Sequence, residues 1–284
     1  MIKIFYLLLF ICCTSWYSNQ NVEKDKIFIP KKEPNDNFYR LKGKVAAIKE
    51  REYEPKIKGD SVTRGAKKSS ESVTNYYAKF NEKGEITNIS IYDEKDEEMA
   101  QVQYEFDSLG RYVKQNIFKK RIRIPDNETY EYIDASKLRV LYIHKERSYV
   151  SKDSSYYNDD NQIIKQSRYN YFDHGGTSSY TRIYQYNQDG LLLNIEETKN
   201  GNKSRITYNY NGQLLTQIKS DSLSFLNIYY DENNHLLKEE SYEKGKIKKV
   251  RHYQCDKEGN WVTQIVYDSL NKPVKYHERI IKYY

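Results

Sequence analysis

One phrase of residues returns along this chain at a nearly constant interval, and it limits the fold more than any local propensity. Two aromatic residues flank a variable one, Asp or Asn follows, a Gly or Asn comes three residues later, and aliphatic residues resume. The clearest copy is Tyr104-Glu105-Phe106-Asp107-Ser108-Leu109-Gly110-Arg111-Tyr112-Val113, and others begin at Tyr184 and Tyr229. The residue before the Asp or Asn is an anchor. The anchors are Phe80, Phe106, Tyr132, Tyr157, Tyr186, Tyr210, Tyr230 and Cys255, at successive spacings of 26, 26, 25, 29, 24, 20 and 25. Such a period fits two strands and two turns, which is one β-hairpin with its connection.

Each part of the phrase has a physical role. Alternation with period two puts both rings on one face of a strand. Asp or Asn opens the turn because its short side chain hydrogen-bonds the backbone two residues on. Gly or Asn three residues later accepts the left-handed backbone of a hairpin loop. The sixth residue after the anchor restarts the apolar strand, as at Ile86, Tyr112, Ile163, Leu192, Leu236 and Trp261. One unit, Tyr210-Asn211-Gly212-Gln213, is shorter at the turn, and its Asn-Gly pair predicts a two-residue type I′ loop there. With 30 Tyr among 284 residues and only 5 Pro, the composition favours pleated, half-buried surfaces.

The N-terminus reads as an export signal. Lys3 precedes an unbroken apolar run, Ile4 to Ile11, that is too short to span a bilayer as a helix. Cys12 and Cys13 are candidates for lipidation, and ordinary cleavage after Ser15 is the alternative. Residues 1–15 are thus expected to be a signal peptide, 16–37 a polar linker containing Pro30 and Pro34, and 38–284 a hairpin-repeat domain. Residues 56–71, rich in Lys, Ser and Gly, are expected to form a flexible loop. Of 3 Cys, only Cys255 lies outside the signal, so internal disulfides cannot be the framework. The net charge of +7 mixes 47 basic with 40 acidic residues and mainly supports solubility. Export argues against a nucleic-acid partner, and leaves membrane contact only to an N-terminal lipid. Localisation is expected in the bacterial periplasm or at the outer membrane.

The phrase resembles the YD-repeat (Rhs-type) family, whose hallmark Tyr-x-Tyr-Asp-x-x-Gly-Arg is matched by Tyr104 to Arg111 with Phe at the anchor. Leu41-Lys42-Gly43-Lys44-Val45, and the ending from Gly259-Asn260-Trp261 to Tyr284, resemble a small exported branch of that family without a toxin domain. The resemblance implies an all-β fold, an elongated twisted antiparallel meander of about eight stacked hairpins. Residues 38–55 would cap one end and Lys275 to Tyr284 the other.

No catalytic or metal motif stands out. The five His lack ligand spacing, and there is neither a Gly-x-Ser-x-Gly elbow nor a phosphate-binding Gly-rich loop. Cys255 reads as a small buried hydrophobe, with His252 expected on the opposite face. No cofactor is expected. Tyr169, Tyr171, Phe172 and His174 interrupt the pattern and are the candidate ligand contacts. Two basic runs, Lys119 to Arg123 and Lys244 to Arg251, read either as contacts for acidic glycans or lipid headgroups, or as charged edge strands. The sequence thus predicts a non-catalytic envelope protein offering a binding or scaffolding surface. The alternative is a glycan-binding or glycan-processing accessory that uses exposed tyrosines. Partners would be envelope glycans or envelope proteins; the oligomeric state stays open.

Overall fold

The computed structural model describes residues 41–68, 75–119, 127–144, 150–171, 177–221 and 223–284. The signal, the linker, Cys12, Cys13, Phe172 and His174 lie outside these residues.

Strands account for most of the described chain. They are β1 (Val45–Lys58), β2 (Ser61–Lys67), β3 (Tyr76–Phe80), β4 (Ile86–Tyr92), β5 (Glu98–Phe106), β6 (Tyr112–Lys119) and β7 (Asn127–Ile133). There follow β8 (Leu138–His144), β9 (Val150–Tyr157), β10 (Ile163–Tyr171), β11 (Thr177–Tyr186), β12 (Leu192–Lys199) and β13 (Asn202–Asn211). The last are β14 (Leu214–Ser220), β15 (Ser224–Tyr230), β16 (Leu236–Glu243), β17 (Lys246–Cys255), β18 (Trp261–Asp268) and β19 (Pro273–Tyr283).

From β3 to β19 each strand pairs antiparallel with the next. The sheet then closes. One edge of β1 pairs with β19, from Val45↔Tyr283 to Tyr53↔Tyr276, and the other pairs with β3, from Ala47↔Lys79 to Glu50↔Tyr76. The result is a closed 18-stranded antiparallel barrel. This corrects the elongated meander of stacked hairpins. The two segments expected to cap opposite ends are instead each other's partner, which removes the open edges that a meander would have to protect. The second half of β1, Tyr53 to Lys58, pairs with β2 as a ribbon on the barrel's edge. Residues 56–67, expected as a loop, are strand on both sides of a turn at Gly59.

The anchors end the odd-numbered strands or sit one residue from the end, and the turn chemistry follows the sequence logic closely. The Asp107 carboxylate accepts from the backbone N–H groups of Leu109 (2.9 Å) and Arg111 (2.8 Å). Asn81, Asn158, Asp231 and Asp256 accept from the same two positions of their own turns. Asp93 and Asp268 build identical turns at the opposite rim, which the repeat spacing did not single out. The shortened unit differs in detail. Asn211 pairs with Leu214, so the loop is Gly212-Gln213, and only Gly212 has a left-handed φ, +57°. Type I′ needs positive φ at both loop residues. That requirement is met by Asn200-Gly201 instead, at φ 48° and 83°.

Burial alternates along the strands. Tyr184 is buried between exposed Ile183 and Gln185, and Tyr253 between exposed His252 and Gln254. In a single closed sheet the shielded side is the inner face. Around the rim of Asp/Asn turns that side is aromatic and aliphatic, with Tyr157, Ile163, Tyr184, Leu192, Ile195 and Tyr208 in one buried cluster. The outer face mixes polar with single apolar side chains at mid-strand, in register rows such as Ile183↔Glu196↔Arg205 and Gln103↔Asn116.

Candidate functional site

Further from the aromatic rim, the inner face becomes charged, and the charges concentrate where the barrel closes. Glu50 on β1, Tyr76 on β3 and Arg279 on β19 meet there because Glu50 stands opposite Arg279 on one edge and Tyr76 on the other. Glu50 accepts from the Tyr76 hydroxyl at 2.8 Å and from Arg279 Nε at 2.7 Å. Its other oxygen lies 3.6 Å from His277 Nδ1. The Arg279 guanidinium lies 3.5 Å from the centroid of the Trp261 ring. One step along, Lys275 Nζ sits 3.0 Å from Glu52, a side chain only 1% exposed.

Burial and these contacts shift the ionisation of Glu50 and Tyr76. Burial alone would raise the Glu50 pKa, but the His277 imidazole and the Arg279 charge outweigh it and hold the carboxyl below its ordinary value. The Tyr76 hydroxyl is pushed well above the usual tyrosine range, chiefly by burial.

Further acid–base pairs stand elsewhere on the inner wall, and together they form a discontinuous charged belt. On β16 and β17, Tyr253 donates to Glu239 at 2.8 Å, with Arg251 3.4 Å from the same carboxylate. Arg168 on β10 forks onto Asp153 of β9, with Nε at 2.6 Å, and Arg182 on β11 meets Glu197 of β12 at 2.6 Å. Each acid is paired with a base on the neighbouring strand, and from β9 to β12 the order is Asp153, Arg168, Arg182 and Glu197. Such a belt can hydrogen-bond a polar molecule.

The sequence candidates are placed differently. Tyr169 lies on the outer face, half exposed, between Lys152 of β9 and Ser179 of β11. The Tyr171 backbone pairs with Val150 and Thr177. Tyr169 does not belong to the charged belt. Cys255 faces inward, its thiol 3.4 Å from the Leu236 carbonyl and its pKa raised by burial. His252 sits on the opposite face, edge-on to Tyr267 at 5.3 Å. Among the described residues no group of three or more His, Cys, Asp or Glu is arranged to hold a metal ion. The basic run Lys244 to Arg251 forms a turn and the start of β17, in the wall of a closed barrel rather than on a free edge.

Sequence reading missed Glu50, Glu52, His277 and Arg279. Their only local signal is a charged residue beside an aliphatic strand, in Ile48-Lys49-Glu50-Arg51 and Glu278-Arg279-Ile280-Ile281.

No family model and no curated protein matches this chain. Among solved structures, a porin-like protein from Bacteroides uniformis is 15% identical with a TM-score of 0.44, covering 85% of this chain and 99% of that one. A porin-like protein from Bacteroides vulgatus is 9% identical with a TM-score of 0.36, covering 84% and 98%. The YD-repeat assignment is corrected on these findings: no family model supports it, and the hairpins close into a barrel instead of stacking in an open array. The closure itself rests on this chain's own strand register.

Proposed function

We propose that this chain is a non-catalytic cell-envelope barrel that works as a binding body, with the charged inner belt as its polar contact surface. The observation that carries the reading is the contrast between the two faces. A membrane-crossing barrel turns an apolar band about 25 Å tall toward lipid. Here mid-strand outer positions carry Glu196, Arg205, Lys238 and Glu240 beside Ile183 and Tyr229, so charged side chains interrupt any apolar band. The inner face, by contrast, goes from an aromatic rim to a belt of paired acids and bases.

Equilibrium binding of the purified protein to envelope polysaccharides, read by pull-down, tests this together with an Arg251→Ala variant of the belt. The expected result is retention of a polysaccharide by the native protein and weaker retention by the variant. Retention unaffected by the substitution, or none at all, would remove the belt as the contact surface. Cell fractionation tests the location, with recovery in the cytoplasm as the contrary result.

A further inference from the structure

We propose that the rim opposite the aromatic one docks onto an anionic lipid bilayer surface, a role separate from the inner belt. Because every strand from β3 onward reverses, alternate turns fall on the same rim. Those joining β14 to β15, β16 to β17 and β18 to β19 follow one another around the barrel, and the β1–β2 turn comes next because β19 pairs with β1. Three of these four turns present an aliphatic side chain at or beside the tip: Leu270 is 85% exposed, Leu223 68% and Ile57 61%. Single exposed leucines are ordinary on a protein surface, but here three of four successive turns on one rim carry an exposed aliphatic side chain, the turn between Leu223 and Leu270 carrying lysines instead.

Leu223 adds a backbone argument. Its φ is +59°, in the left-handed region where a bulky side chain is disfavoured and Gly or Asn would be cheaper. The chain holds an aliphatic residue there and leaves it in solvent.

Charge supports the same reading. Lys58, Lys219, Lys244, Lys246 and Lys272 flank these tips along the arc, outnumbering Asp60, Asp221, Glu243 and Asp268, of which Asp221 and Asp268 accept backbone N–H groups and Glu243 pairs with Lys248. In the turns of the aromatic rim acids outnumber bases, with Glu82, Glu85, Asp159, Asp160, Asp189, Glu232 and Glu258 against Lys83, Arg111, Lys137 and Lys257. An anionic surface would attract this arc more than the acidic Asp93 to Glu97 turn of the same rim or the aromatic rim, and the exposed leucines could enter the headgroup layer once lysines hold the barrel there. The barrel would stand upright rather than lie on its side.

Co-sedimentation of the full chain with vesicles of phosphatidylcholine, with and without added phosphatidylglycerol, tests the proposal. Two variants are compared with the native protein, Lys244→Glu/Lys246→Glu/Lys272→Glu and Leu223→Asn/Leu270→Asn. All three proteins share the same N-terminus, so membrane binding by residues 1–40 is common to them and cancels. The expected result is stronger retention on phosphatidylglycerol vesicles, reduced at least about tenfold by the charge reversals at roughly 1 kcal/mol per surface lysine. The leucine substitutions should weaken it as well, and high salt should release the native protein. Equal retention of native and substituted proteins overturns the proposal. So does equal retention on both lipids, or release by inorganic phosphate at matched ionic strength, which would mark a simple anion site. Should the charge-reversal protein fail to fold, the Leu223→Asn/Leu270→Asn pair decides, since Asn adopts a left-handed φ more readily than Leu.

Discussion

Glu50 and Arg279 are 229 residues apart in the chain, yet Arg279 Nε lies 2.7 Å from the Glu50 carboxylate, and both side chains are almost fully buried. This pair joins the first strand to the last. Removing one partner leaves the other charged and shielded from water, so Arg279→Ala should cost about 3–5 kcal/mol in stability. Urea unfolding measures it. The double substitution Glu50→Gln/Arg279→Met should recover part of the loss, because no uncompensated charge remains. A loss below about 1 kcal/mol for Arg279→Ala would show that the pair contributes little to closure.

The same contact predicts a pH dependence. The folded-state pKa of Glu50 is held below its ordinary value of 4.5. Its contribution is therefore complete above that ordinary value and is lost as pH falls through the lower folded value. Acid titration of unfolding free energy should fall more steeply below pH 4.5 in the native protein than in Glu50→Gln. Parallel curves would refute the assignment.

The last strand serves two neighbours at once, since β19 pairs with β18 and with β1. Deleting Lys275 to Tyr284 would open the barrel and expose the edges of both. The expected outcome is aggregation, or a large fall in melting temperature, on size-exclusion chromatography and thermal scanning. A monomeric product with native melting would mean that closure is dispensable.

The anchor tyrosines tie successive hairpins together. Tyr132, Tyr186, Tyr210 and Tyr230 each donate a hydroxyl hydrogen bond to a carbonyl near the start of the strand after the preceding turn: Tyr112, Ile163, Leu192 and Leu215, at 2.7 to 3.0 Å. Tyr186→Phe should cost about 1 kcal/mol by denaturant unfolding. Cys255 occupies the equivalent slot, with its thiol toward Leu236, so Cys255→Ser should be tolerated at a similar or smaller cost. If Tyr186→Phe leaves stability untouched, these bonds only accompany the packing.

Asp107 supports its turn with backbone bonds and also holds Arg111 Nε at 2.7 Å. Asp107→Ala should lower stability by about 1–2 kcal/mol, by analogy with the loss of a side-chain cap. Hydrogen exchange at Leu109 and Arg111 reads the effect locally. Unchanged protection there would show that the backbone alone holds the turn.

What could be read from the chain, and what could not, divides by range. Period-two alternation put Tyr104 and Phe106 on one face, and the Asp107 to Gly110 tetrad marked a turn, because those preferences are set by side chains within a few residues of each other. The same local chemistry gave no warning that Val45 to Tyr53 would lie beside Tyr276 to Tyr283. Open array and closed barrel use the same hairpins, and the difference is a single pairing whose free energy exists only once every intervening strand has accumulated its share of curvature. For that reason the acid–base cluster at Glu50 and the basic, leucine-tipped rim became visible only in three dimensions. Closure alone brings Glu50 to Arg279 and the β1–β2 turn beside the β18–β19 turn, while the other rim turns are neighbours through successive strand pairing.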